Sequence, residues 1–332
     1  MRRVVVAYNV DFEEASRAAD PGHAARADVA IVAQAVAEAL TGAFDVHLLP
    51  VDADLFAFRM RLLGLAPDGV FNLCESIAGD ARLESAIPML LESMNVPYTG
   101  SPPAALALAL RKDRVKVALE TANVATPRGG LYAALPERMV FPCIVKPSRE
   151  DGSAGISITS VVRTPSTLHK RALAVERVFK QPALVEEFVD GRELNVALLG
   201  APARPLPLWE IDFSAMPKSA PRIVTYDGKW KVGSVQDRGS RPKRSRLAGS
   251  ALLRVKRAAL AAFDAIGLRD YGRVDVRLDP NGVPFVVDVN PNCDLSPNAG
   301  FARSAAAQGI SYRALVRRLA TLALARPPRR RA

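Results

Sequence analysis

Cysteine and histidine are scarce in this 332-residue chain, with three of each. The cysteines (Cys74, Cys143, Cys293) are odd in number and far apart, so they build neither a disulfide framework nor a Cys/His zinc cluster. The histidines (His23, His47, His169) are equally scattered and leave little for a histidine-based nucleophilic mechanism. Apolar runs are short, and none approaches the roughly 18 uninterrupted residues of a membrane span. The start, MRRVVVAYNV, meets Asp11, Glu13 and Glu14 at once, which does not read as a signal peptide. A soluble protein of a reducing cytoplasm is expected. Neither the GxxxxGK[ST] loop nor the GxGxxG turn occurs, and no internal repeat is visible.

Apolar residues make up 49% of the chain and charged ones 24%, which excludes wholesale disorder. At about 150 residues per domain, the length suits two or three domains. The balance of 45 basic against 34 acidic residues gives +11. Part of the excess sits in RGSRPKRSR (Arg238 to Arg246) and in the tail (Arg326, Arg329, Arg330, Arg331). Neither stretch interleaves aromatics, so solvated charge is the expected role rather than nucleic-acid binding. A basic balance also suits a protein that handles anionic small molecules.

Hydrophobic patterning gives an alternation of strands and helices. Val4–Ala7, Val46–Val51, Gly69–Leu73 and Val96–Tyr98 read as strands, with helices over Ala27–Leu40 and Arg82–Met94. This predicts an open α/β domain over residues 1–110. A long helix is expected over Ala104–Ala122, strands within Val140–Val162, and a helix over Thr167–Phe179. Leu184–Val189 and Leu194–Leu199 read as strands around an Asp190-Gly191 turn. Ala201–Arg246 reads as a long lid or binding loop, and helices are expected over Leu247–Ile266 and Tyr312–Leu324. Further units are drawn at 111–185 and 186–326, with a basic tail at 327–332.

Three segments carry chemistry. In RVDVRLDPNGVPFVVDVN (Arg273 to Asn290) two alternating strands flank Asn281-Gly282. With a two-residue loop, Pro280 faces Val283, Asp275 faces Asp288 and Arg273 faces Asn290. Opposed carboxylates repel and need a cation. Two carboxylates with an amide oxygen suit Mg²⁺, which takes few protein ligands and the rest from substrate phosphates. A three-residue loop would instead put the aspartates on opposite faces. The second segment, FPCIVKPSREDGSAG (Phe141 to Gly155), ends a strand at Lys146 and continues into a Gly/Ser loop. Such a loop can offer backbone N–H groups to phosphate, or be a plain surface turn. The third, LVEEFVDGREL (Leu184 to Leu194), could present backbone groups to a planar base and carboxylates to a ribose, or be an ordinary hairpin.

Taken in order, these motifs, with VPYTGS (Val96 to Ser101), YDGKW (Tyr226 to Trp230), VDVNPNCDLSP and AAAQGISY, resemble the ATP-grasp ligases, and among them the D-alanine–D-alanine ligase family. The resemblance runs from about Gly69 to Leu324. It implies three α/β domains, α+β in the ATP-binding part, with ATP between the second and third. It implies that Lys112 and Lys146 contact ATP phosphates and that Ser153 and its glycine loop close over them. Glu186, Phe188 and Val189 would hold adenine, Glu193 the ribose, and Lys229 the γ-phosphate. Asp275, Asp288 and Asn290 would bind Mg²⁺, with Mn²⁺ able to substitute, and Arg273 would steady the reacting oxygens.

The reaction implied is attack of a carboxylate on the γ-phosphorus, then of an amine on the acyl phosphate. The partners implied are small amino-acid-like substrates; a homodimer stays open. Departures fall on the amino-acid side. An acid expected in the first loop has only Asp20 or Asp28 as candidates; Cys74-Glu75-Ser76 stands for His-Gly, Ala299 for a serine and Trp230 for a tyrosine. On the ATP side, Gly152 replaces a serine. Substrates other than two D-alanines are therefore weighed equally with that pair.

Overall fold

The β-branched run near the start becomes β1 (Arg3–Asn9), which pairs in parallel with β2 (Asp45–Val51) and β3 (Gly69–Asn72). The computed structural model describes residues 1–10, 29–135 and 139–326. Val4 to Ala7 are 2% exposed or less, as befits a strand covered on both faces. Val4 and Val6 meet α1 (Val29–Leu40), whose Val29, Val32, Ala33, Val36 and Leu40 form one buried stripe. Val5 and Ala7 meet α2 (Leu55–Leu65) and α3 (Ala86–Ser93) on the other side. Sequence patterning does not reveal α2: LFAFRMRLLGL is apolar nearly all round, so no stripe marks it. The Asp54 carboxylate caps it, accepting from the Ala57 N–H at 2.9 Å. The strand expected at Val96–Tyr98 reduces to a single bridge between Val70 and Tyr98.

The helix expected over Ala104–Ala122 is two: α4 (Pro103–Ala109) and α5 (Lys112–Thr121). Arg111 leaves helical geometry between them (φ −96°, ψ 80°), and the Lys112 N–H donates to the Ser148 carbonyl at 3.1 Å. The break fixes the start of α5 against the segment that leads into the Gly/Ser loop.

A four-stranded antiparallel sheet follows, in the order β4 (Gly129–Leu131), β7 (Ala183–Glu187), β5 (Cys143–Pro147), β6 (Val161–Val162). It is backed by α6 (Pro165–Phe179), opened by a Thr164/Thr167 capping box with Pro165 in its first turn. β7 continues to Glu187, so this sheet ends two residues past the boundary drawn at 185.

The last sheet runs β11 (Arg241–Arg244), β10 (Trp209–Asp212), β8 (Arg192–Gly200), β12 (Tyr271–Leu278), β13 (Pro284–Asn290), with β9 (Ala203–Pro205) also on β8. The segment read as one long loop thus contributes three strands, and between them α7 (Tyr226–Trp230) and α8 (Val235–Gly239). Val255, Ala259, Ala262, Phe263 and Ile266 of α9 (Gly249–Ile266) cover the sheet.

The chain then returns to its beginning. After α10 (Gly300–Ala307), α11 (Tyr312–Leu324) sets Leu315, Val316, Leu319 and Ala320 into the core of β1 and α1. Asp270, 1% exposed, ties this return: it accepts from the Gly100 N–H at 2.9 Å and from Arg326 Nη1 at 2.6 and 2.8 Å. Asp270→Ala removes the carboxylate that this amide and guanidinium share, leaving Arg326 only the Tyr98 carbonyl, and a loss of about 3 kcal/mol is expected. A urea midpoint followed by far-UV circular dichroism measures it; a midpoint equal to wild type would contradict the assignment. No helix among the described residues is long and apolar enough to cross a membrane.

Candidate active site

Two irregularities of opposite sense bring Asp275 and Asp288 together. The hairpin loop has three residues, not two: Asp279 N–H donates to the Val283 carbonyl and Gly282 N–H to the Asp279 carbonyl, each at 3.0 Å. Gly282 takes the left-handed conformation that ends such a loop (φ +77°). The register therefore starts one residue away from the two-residue expectation, pairing Leu278 with Pro284 and Val276 with Val286. A β-bulge at Val287 then adds the missing residue, so Asp275 faces Asp288 and Arg273 faces Asn290 after all. The bulge also leaves the Val287 carbonyl facing Lys146 Nζ, at 3.4 Å.

The opposed carboxylates are neutralised by cations from three elements. Arg273 grips Asp275 through Nε and Nη2, both at 2.8 Å, and Asn195 Nδ2 adds a third bond at 2.8 Å. Lys112 Nζ, at the start of α5, bonds Asp288 at 2.8 Å and Asp151 at 2.9 Å. Burial lowers the Lys112 ammonium, but Asp151 and Asp288 outweigh it and hold it well above the ordinary lysine range. Burial raises the Asp288 carboxyl, yet Lys112 and Lys146 hold it below the usual carboxylate value. One turn on, Lys116 shares the helix face of Lys112 and pairs with Glu186 at 2.9 Å. Lys146 pairs with the other Glu186 oxygen at 2.7 Å.

These groups line an open cleft between the second and third sheets. Lys112, Lys146, Ser153, Glu186, Phe188, Val189, Glu193, Asp275 and Asp288 all stand on its wall. Ile144, Ile223, Val224 and Val287 give it an apolar end beside Phe188 and Val189. The Gly/Ser loop lies across it, with Gly152, Ser153 and Gly155 all at positive φ (+62°, +63°, +73°). A Cβ at Gly155 would fall 2.6 Å from Pro147 and 2.8 Å from the Phe179 ring, so glycine alone fits there. From the lid side, Trp230 Nε1 donates to the Gly152 carbonyl at 2.9 Å. Glu193 pairs with Arg277 at 2.7 Å; burial raises its carboxyl and that guanidinium only partly offsets the rise.

The remaining site residues adjoin this cleft, with Asn290 Nδ2 3.4 Å from Asp275, but open onto the other side. Arg273, Lys229 and Asn290 line a second cavity, formed with Glu75, Glu84, Trp230 and Asn292. The two cavities share Glu150 and Asp151 of the Gly/Ser loop. Desolvation and the Arg273 charge hold the Lys229 ammonium below the ordinary lysine range. Asp20, Asp28, His23 and the tail arginines past Arg326 lie outside the described residues. The basic stretch partly neutralises itself: Lys243 meets Glu210 (3.4 Å) and Asp212 (3.2 Å), and Arg241 meets Asp237 (3.0 Å). Sequence reasoning assigns no individual role to Lys116, which lies in the Lys112–Lys116 stretch, or to Asn195, Glu84 and Asn292. Lys116 carried a signal in its four-residue spacing from Lys112; the others meet their partners only through the tertiary fold.

Comparison with known proteins places this geometry. Residues 116–321 match the family model described as D-ala D-ala ligase C-terminus. A D-alanine–D-alanine ligase of Ralstonia nicotianae is 32% identical over 270 residues, covering 78% of this chain and 77% of that protein. An uncharacterized protein of Sinorhizobium fredii, y4sG, is 36% identical over 251 residues, covering 74% and 72%. The fold matches the crystal structure of the D-alanine–D-alanine ligase from Bacillus anthracis complexed with ATP, with a TM-score of 0.71, 20% identity and 97% of each chain covered.

Proposed function

The chain belongs to the D-alanine–D-alanine ligase family, and from that premise we propose how an ATP-dependent carboxylate–amine ligase is built from these residues. The observation that carries the reading is the meeting of two cavities at Glu150 and Asp151. One presents lysines and a glycine-rich loop suited to a triphosphate. The other presents Arg273 and Lys229 to a small anionic substrate.

In this reading Lys112 and Lys146 neutralise phosphate oxygens of ATP, and Ser153 with its loop amides covers them. Phe188 and Val189 hold the purine by apolar contact and backbone groups, and Glu193 bonds the ribose. Glu186 keeps Lys146 aimed into the cleft. The donor set of Asp275, Asp288 and the Asn290 amide fits a hard divalent ion, Mg²⁺ or Mn²⁺. When bound, that ion supplies neutralisation of phosphate charge. The substrate carboxylate attacks the γ-phosphorus, ADP leaves, and an amine then displaces phosphate from the acyl carbon to give an amide. Arg273 steadies the reacting oxygens and Lys229 reaches the γ-phosphate from α7. Positioning and charge neutralisation do the catalytic work. The compartment we infer is a reducing cytoplasm, which supplies ATP and suits three buried free cysteines.

D-alanine in both positions is one reading of the substrates. A different amino-acid pair is the other, favoured by Glu75, Glu84 and Trp230 on the wall of the second cavity. The test is an ADP-release screen over D- and L-amino acids, singly and in pairs, with mass spectrometry of the product. ADP release that requires two amino acids and yields their dipeptide is expected; release with no dependence on amino acids would contradict ligation.

A further inference from the structure

The second cavity carries more acid than the chemistry above uses. Glu75 follows β3, Glu84 precedes α3 and Asp294 follows β13, all on its wall, against the cations Lys229 and Arg273. Arg273 is already clamped by Asp275. Glu84 is held in place across the junction of the first and third units. Asn292 Nδ2 donates to its Oε1 at 3.0 Å and to the Cys74 carbonyl at 3.0 Å. Asn292 Oδ1 accepts from the Tyr271 hydroxyl at 2.9 Å, and the Tyr271 ring packs edge-on against Phe301. Burial pushes the Glu84 carboxyl well above the usual range; the Asn292 bond opposes this, while Glu75 and Asp151 add like charge. Bringing a cation to such a position relieves both burial and repulsion.

We propose that Glu84 is the specificity residue for the α-ammonium of the amino acid whose carboxylate is activated, with Asn292 as its positioning residue. This rests on the ligase reading above. A zwitterion lying in this cavity meets opposite charges at its two ends: Arg273 for the carboxylate and Glu84 for the ammonium. The assignment to the activated substrate follows from acid–base chemistry. The acceptor amine must lose a proton to attack, and a neighbouring carboxylate stabilises the protonated form. Glu84 therefore suits the amino group that does not react. The chain recognises this ammonium from the wall at Glu84, whether or not the first loop contributes.

The test compares wild type and Glu84→Gln in ADP release, using the free amino acid that the screen above identifies as the carboxylate donor and the same acid lacking its α-amino group (propionate where the donor is D-alanine). The expected result is a KM for the amino acid raised about tenfold to a hundredfold, with the KM for ATP unchanged. The preference for the amino acid over the desamino acid should fall by the same factor. Asn292→Ala should raise the same KM less, and the double variant should not be additive. Should Glu84→Gln fail to fold, Glu84→Asp, which keeps the charge and withdraws it by one methylene, reads the same preference. An unchanged preference in a folded Glu84 variant overturns this inference alone. A wild type that releases ADP with no amino acid overturns the ligase reading and this one with it.

Discussion

Asp288→Ala is expected to lower turnover by at least about 10³-fold while leaving the protein folded. The carboxylate is lost from the centre of the charge network, opposite Asp275 and beside the two lysines assigned to phosphate. The fold survives because neither neighbour is stranded. Lys112 keeps Asp151 at 2.9 Å, and Asp275 keeps Arg273 and Asn195 while losing a like charge across the ladder. The stability change should stay within about 1–2 kcal/mol. ADP release and a urea midpoint on the same preparation separate the two effects. Ligase activity retained in a folded Asp288→Ala protein would count decisively against the metal assignment.

That prediction depends on a register the sequence defined by its outcome and not by its route. Alternation in RVDVRLD and FVVDVN marked both strands and their shared face. The loop length could not be read, because Asp-Pro-Asn-Gly serves two- and three-residue turns alike. Val287 looks like any other apolar strand residue in sequence, so nothing local announces its bulge. The two departures cancel, and Asp275 still faces Asp288. Elsewhere, strong period-3.6 stripes such as Val29–Leu40 were legible, whereas α2, apolar on every side, was not.

The cleft proposed for the nucleotide was more legible than the cavity beside it, for a physical reason. Phosphate binding needs a lysine at a strand end and a glycine-rich loop, which are adjacent in sequence. The second cavity is assembled from single residues 208 positions apart, as in the Asn292–Glu84 bond, and no local pattern announces such a pair. The same holds for Asn195, whose bond to Asp275 spans 80 positions and exists only because β8 and β12 are neighbours.

Glu186→Gln is expected to cost about 3 kcal/mol or more of stability, the largest such effect among the cleft residues. Glu186 is 3% exposed and its two oxygens separate Lys116 and Lys146, themselves almost fully buried. The amide keeps the shape but removes the charge, leaving Lys116 without its carboxylate and Lys146 with only the longer-range attraction of Asp288. Burial raises the Glu186 carboxyl, and the two lysines more than reverse this, so its folded value lies below that of a free glutamate. The sign of the pH dependence follows. The stabilisation is complete above the unfolded value, about 4.3, and is lost as pH falls through the depressed folded value. Wild type should therefore lose stability on acidification below about pH 4.3, while Glu186→Gln, already without the charge, should lose less over that window. Thermal melts of both proteins between neutral pH and pH 3 test this. Parallel curves, or a variant as stable as wild type at neutral pH, would show that the carboxylate does not hold the two lysines together.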